Sequence, residues 1–202
     1  MPKESHLLGE KAQTSLLTPP DLTGPFYPLL KPPDQDADLT TIHGKSGHPQ
    51  GQVIYLMGQV LNLQGKPVKG ARVEIWQANT YGRYNHPSDP NPAPLDPNFE
   101  GFGVQITDAE GRYRFKTIKP GAYPTGIGDW WRPPHIHFDI TGHTDRLVTQ
   151  MYFAGEPLNE KDKLYNGLIF NKESVTVKLQ PPSQEIEPDS LVTVFNIVLI
   201  TG

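Results

Sequence analysis

The sequence predicts an all-β protein, an antiparallel β-sandwich with long ordered loops and an N-terminal arm. Three observations point there. Eight short segments carry apolar residues at strand length, with Gly, Pro, Asn and Asp clustered between them. The 22 prolines and 19 glycines favour turns over long helices. The 202 residues are enough for one hydrophobic core and few for two full domains.

Residues 1–50 are read as the arm, because they are rich in Pro, Asp, Gly and Thr and lack a sustained period; the stretch TGPFYP at 23–28 is stiff and aromatic. Residues 51–202 then hold the sandwich. VIYLMGQVLN (53–62), the turn QGKP (64–67) and ARVEIWQA (71–78) read as two strands joined tightly. GVQIT (103–107), RYRFKT (112–117), HIHFDI (135–140), RLVTQMYF (146–153), SVTVKL (174–179) and LVTVFNIVLI (191–200) supply six more. A short helix fits within 158–170. Two long loops, 79–102 and 118–134, are dense in proline and aromatics. Structureless connections beyond about 12–15 residues are uncommon in compact domains, so both loops are expected to be ordered and functional.

A formal net charge of -4 with no dense Lys/Arg cluster argues against nucleic acid or an anionic membrane as the main partner. The absence of cysteine excludes disulfides, zinc-thiolate sites and thiol nucleophiles, so any metal must be held by nitrogen and oxygen. The N-terminus shows no signal-like apolar run, and no stretch approaches the roughly 18 apolar residues of a membrane span. A cytoplasmic protein is the expectation.

The chemistry concentrates at WRPPHIHFDI (131–140). Side chains alternate along a strand, so His135 and His137 project to one face, where two imidazoles can grip one metal ion, while Ile136, Phe138 and Ile140 form the apolar face. Ordinary strand histidines fit the same spacing. Asp139 shares the face of the histidines and would complete a His, His, carboxylate set of the ferrous-oxygenase kind. Spacing alone leaves both readings open.

With the segments around it, this strand resembles the intradiol ring-cleavage dioxygenases, above all the iron-bearing subunits of their protocatechuate-type branch. The motifs follow in order: GKPVKGARVEIWQAN (65–79), GRYNH (82–86), LDPNFEGFG (95–103), TDAEGRYRFKTIKPGAYP (107–124), WRPPHIHF (131–138) and TQMYF (149–153). The resemblance implies Fe(III) held by two tyrosinates and two histidines, at Tyr84, Tyr123, His135 and His137. It also implies a substrate-facing Arg132, a pocket glutamine at Gln150, no organic cofactor, and a small aromatic diol and O2 as reactants. Trivalent iron suits such ligands, because a hard cation favours anionic oxygen and draws a phenol below its ordinary pKa of about 10. By the same resemblance, Tyr123 leaves the metal and accepts a diol proton, and the ring opens to a cis,cis-muconate. Asp139 and His86 fall outside the implied ligand set, and His6, His43, His48 and His143 are expected to be solvated.

Protocatechuate is the favoured substrate, since catechol and hydroxyquinol members carry an added helical domain before the sandwich; catechol, hydroxyquinol and chlorocatechol are the alternatives. TGIG (125–128) departs from the aromatic and basic pair that usually follows Tyr-Pro in the protocatechuate branch. TGPFYP resembles a segment that a ligand-less sister subunit contributes to the pocket, so a homo-oligomer or a hetero-oligomer with such a sister is expected. The rival from another class is a non-catalytic transthyretin-like or carbohydrate-binding sandwich, which GKPVKGARVEIW taken alone would suit equally.

Overall fold

The computed structural model describes residues 17–168, 170–182 and 186–202; His6 lies outside them. Eleven strands follow in order among the described residues: β1 (Val53–Asn62), β2 (Arg72–Trp76), β3 (Phe102–Ile106), β4 (Arg112–Ile118), β5 (Tyr123–Pro124), β6 (Trp131–Arg132), β7 (His135–Thr141), β8 (Arg146–Phe153), β9 (Thr176–Val177), β10 (Leu191–Val194) and β11 (Ile197–Leu199). One sheet is built on β1, which pairs antiparallel with β4 and parallel with β10 and β11. The other runs β3-β2-β7-β8-β9. Its first four strands pair antiparallel, and β9 lies parallel to β8.

Alternation decides what each strand buries. Ile54, Leu56 and Val60 of β1, Val73 and Ile75 of β2, Phe115 of β4 and Ile136, Phe138 and Ile140 of β7 meet in one core between the sheets. The opposite face of the five-stranded sheet is buried as well, under a second aromatic cluster that contains Trp76, Tyr84, Phe102 and Tyr123. That second layer comes from the two long loops and the arm. The arm lies along the first part of β8, before its pairing with β9, where Asp21 N–H donates to Val148 O at 2.9 Å and Thr149 Oγ1 donates to Pro19 O at 2.7 Å. It is fastened again at Glu74, which accepts from Tyr27 and Lys31 at 2.6 and 2.7 Å and pairs with Arg72.

The sequence expectation of an all-β sandwich holds, with three differences in detail. Residues 191–200 form two strands, because Phe195 N–H bonds Met57 O while Asn196 Oδ1 takes the place of a ladder carbonyl for Gln59 N–H at 3.0 Å. Gly58 allows this, since a Cβ there would collide with the Phe195 carbonyl. Both strands run parallel to β1, against the antiparallel expectation. Within 174–179 only Thr176–Val177 is strand. The preceding residues close a 3-10 turn, in which the Ser174 and Thr176 hydroxyls bond the Asn171 and Lys172 carbonyls at 2.7 and 2.8 Å. In 158–170 the helix is short, α1 (Lys163–Gly167), capped by Asp162 at the Tyr165 N–H. No helix among the described residues is long and apolar enough to cross a membrane.

Candidate metal centre

Three elements bring the four side chains together. On β7, His135 and His137 share the outer face, with Nε2 atoms 3.1 Å apart. The 79–102 loop delivers Tyr84, whose hydroxyl lies 3.1 Å from His137 Nε2. That loop is held by side chains that bond its backbone: Asn79 Oδ1 closes an Asx turn on the Tyr81 N–H and also accepts from the Arg83 N–H, and across the loop Asp89 Oδ2 accepts from the Tyr84 N–H at 2.7 Å. The 118–134 loop delivers Tyr123 through the two-residue ladder β5–β6, which sets Tyr123 directly opposite Arg132. Gly82, at φ +75°, lets the loops meet, because the Ala122 carbonyl occupies the space a Cβ would need.

The Tyr84 and Tyr123 rings pack edge-on with centroids 5.4 Å apart, and each hydroxyl shifts the ionisation of the other. All four side chains are enclosed, at 3 %, 5 %, 2 % and 2 % exposure for Tyr84, Tyr123, His135 and His137. Desolvation drives both imidazoles well below their ordinary pKa, with Arg132 adding to the effect, so they are neutral. It drives both phenols upward. Ionising the phenols therefore requires a cation beside them.

The donor set fits a metal ion on this structure's own terms. His135 Nδ1 lies 2.7 Å from the Pro133 carbonyl, which can only accept. Nδ1 therefore carries the proton and Nε2 presents its lone pair to the cluster, the arrangement expected of a ligating imidazole. His137 is stacked on Trp76 at 4.8 Å and 8°. The arm covers the cluster: Phe26 sits 4.8 Å from the Tyr84 ring and 6.1 Å from that of Tyr123. A Cβ on Gly24, at φ +73°, would stand 3.2 Å from His137 Cε1. TGPFYP thus lies over the site of its own chain.

The remaining expected residues fall out as follows. Arg132 is buried, and its Nη2 donates to Gln150 Oε1 at 2.6 Å and to the Tyr152 hydroxyl at 3.1 Å. Gln150 lies across from His137 in the β7–β8 ladder. Asp139 is held by Arg146 at 2.8 and 2.5 Å and forms no cluster with the histidines; the one acidic or histidine cluster of metal-binding geometry among the described residues is Asp34, Asp36 and Glu100. His86 is buried 5.7 Å from Phe26 and accepts from the Ser88 N–H at 3.1 Å. His43, His48 and His143 are exposed.

Sequence reasoning passed over Trp76, Tyr152, Asp21 and Asp162. Two of these were within reach of period-two alternation, since Trp76 faces His137 across the ladder and Tyr152 follows Gln150 by two on β8. Asp21 and Asp162 carried no local signal, because only the docking of arm and helix brings them there.

Comparison with known proteins places the chain in a family. A family model described as Dioxygenase matches residues 22–201. The protocatechuate 3,4-dioxygenase beta chain of Burkholderia cepacia is 56% identical over 135 residues, covering 65% of this chain and 57% of its own length. Catechol 1,2-dioxygenase of Acinetobacter baylyi is 31% identical over 204 residues, covering 90% and 62%. The chain thus spans somewhat more than half the length of these relatives. Among solved structures, the dioxygenase domain of a dioxygenase carbohydrate-binding protein fusion from Streptomyces sp. SirexAA-E superposes with a TM-score of 0.69 at 26% identity, over 92% of this chain and 99% of its own. Catechol 1,2-dioxygenase from Pseudomonas arvilla C-1 gives 0.71 at 25% identity, over 98% and 67%. From its ordered motifs, its fold and these matches, the chain belongs to the intradiol ring-cleavage dioxygenase family.

Proposed function

We propose that this chain is a non-haem ferric dioxygenase that cleaves a catechol-type diol, protocatechuate foremost, with O2 to a cis,cis-muconate. The observation that carries the reading is the convergence of two enclosed phenols and two neutral imidazoles beneath an aromatic roof, with Tyr84 and both imidazoles linked at 3.1 Å and the Tyr123 ring 5.4 and 5.6 Å from those of Tyr84 and His135. Tyr84, Tyr123, His135 and His137 would hold Fe(III), which supplies Lewis acidity that draws protons from phenolic oxygens and activates the diol toward O2.

The chain's own residues do the rest. Trp76 fixes the plane of His137, and the Pro133 carbonyl fixes the tautomer of His135. Phe26 and Gly24 exclude water over Tyr84 and His137. As a phenolate, Tyr123 would accept a proton from the incoming diol at its oxygen and become the neutral phenol, and the Arg132 charge beside it favours the anionic form needed beforehand. Arg132 then faces the negative charge that develops on the substrate ring, in a dry setting where one such donor counts strongly.

Protocatechuate is favoured by the 56% identity to a protocatechuate 3,4-dioxygenase beta chain. In this reading residues 1–50 are the arm and 51–202 the catalytic domain, the protein works in the cytoplasm, and a second copy or a sister subunit completes the assembly. Oxygen consumption by the purified chain with protocatechuate, catechol, hydroxyquinol and chlorocatechol, measured beside iron content, tests the proposal. Iron-dependent uptake, fastest with protocatechuate, is expected; uptake by iron-free protein, or none with any diol, would refute it.

A further inference from the structure

Arg132 does not stand alone in its pocket, and the direction of each hydrogen bond around it can be assigned. The guanidinium has only donors, so Nη2–H groups donate to Gln150 Oε1 at 2.6 Å and to the Tyr152 oxygen at 3.1 Å. Tyr152 has one proton and two acceptors in reach, Asp21 Oδ2 at 2.9 Å and Gln150 Oε1 at 3.1 Å. The carboxyl oxygen is nearer, and Gln150 Oε1 already accepts from Arg132. The proton therefore points to Asp21. Gln150, in turn, donates through Nε2 to Leu22 O at 2.8 Å.

Both partners of Arg132 on β8 are thus tied to adjacent residues of the arm. Asp21 is itself fixed, since Oδ1 accepts the Leu22 N–H at 2.7 Å and its own N–H bonds Val148 O. On the far side, Asp162 Oδ1 lies 3.1 Å from Arg132 Nε, off the line of that N–H, and accepts from Trp130 Nε1 at 3.0 Å. The guanidinium is gripped between β8 and α1. Its Nη1 amino group makes no hydrogen bond among the described residues.

We propose that Tyr152 and Asp21 are positioning residues for Arg132: the arm, through the Asp21 carboxylate and the Tyr152 hydroxyl, fixes how the arginine is presented to the substrate. This rests on the function proposed above. Positional errors in a transition-state donor lower turnover more than they weaken ground-state binding, which separates this role from a structural one.

The test uses the iron-loaded full chain with Tyr152→Phe, Asp21→Ala, Asp21→Glu and the Asp21→Ala/Tyr152→Phe double variant. Tyr152→Phe removes one hydroxyl and keeps the ring, so kcat should fall about tenfold, as for loss of a hydrogen bond to a charged group, with unchanged iron content. Anaerobic calorimetric titration with catechol should give a Kd within about threefold of wild type for that variant. Asp21→Ala should lower kcat in the same manner, and Asp21→Glu, which keeps the carboxylate, should restore part of it. The double variant should be no slower than Tyr152→Phe, because both changes break one relay. Multiplying losses, iron loss in step with activity, or full kcat in Tyr152→Phe would overturn the relay while wild-type turnover leaves the proposed function standing. A wild-type chain that holds iron and cleaves no diol would remove that function and the relay with it.

Discussion

The two faces of β7 are equally buried and do opposite things. Ile136, Phe138 and Ile140 point into the core between the sheets and meet only apolar neighbours. His135, His137 and Asp139 point the other way and are enclosed just as fully, yet each contacts polar partners or aromatic faces supplied by loops and arm. Burial alone therefore does not mark a core. The inner face is stabilised by the apolar surface it removes from water. The outer face buries polar groups, some of them hydrogen-bonded and others, among them His137 Nδ1, Trp76 Nε1 and Arg132 Nε, without a hydrogen-bond partner among the described residues, a cost the inner face does not carry.

The sharpest break of this contrast is Phe138→Ala. Truncating a fully buried aromatic should cost about 3–5 kcal/mol of stability, seen in denaturant unfolding, and reduce activity only through loss of folded protein. A stable variant lacking activity would mean that the inner face serves the chemistry. Next is Arg132→Ala, where kcat should drop about 10²- to 10³-fold with iron retained, as for loss of a preorganised transition-state donor. Loss of iron would instead place Arg132 among the supports of the metal ligands.

Asp139→Asn should be milder. Its partner Arg146 is largely exposed, so the pair contributes about 1 kcal/mol or less, and turnover should stay near wild type. Abolished metal binding would revive the His, His, carboxylate set that spacing left open. The last effect depends on pH and lies outside β7, at Glu100. Desolvation, followed by Asp34, Asp36 and Asp38, raises its pKa to about 8. Folding therefore favours its protonated form, so its contribution is complete below about pH 4.5 and is lost as pH rises to 8. The melting temperatures of wild type and Glu100→Gln should coincide near pH 4 and separate toward pH 9, with the variant higher; parallel curves would show that the carboxyl is not penalised.

What the sequence disclosed follows the same division. Inner-face positions were legible from period-two alternation on β1, β2, β7 and β8, because one strand carries the whole signal. The imidazole pair was legible for the same reason. Tyr84 and Tyr123 stood out only through their motifs, since nothing in 79–102 says whether Tyr81 or Tyr84 turns inward and nothing in 118–134 says that Tyr123 does; the Asn79 and Asp89 hydrogen bonds around Tyr84 and the β5–β6 ladder at Tyr123 make that choice. The arm was the least legible part. Its hold on Val148, Glu74 and Tyr152 depends on contacts more than 40 residues apart in sequence, and non-local contacts leave no local period. Likewise, the split between β10 and β11 depends on a glycine 137 residues before Phe195, at Gly58.

The most direct measurement is the visible absorption spectrum of the iron-loaded chain beside its Tyr84→Phe variant at equal iron content. Two phenolates on ferric iron should give a burgundy charge-transfer band, which shifts and weakens when one of them is removed. A colourless wild type with full iron occupancy, or identical spectra for the two proteins, would contradict the assignment of these four side chains to the metal.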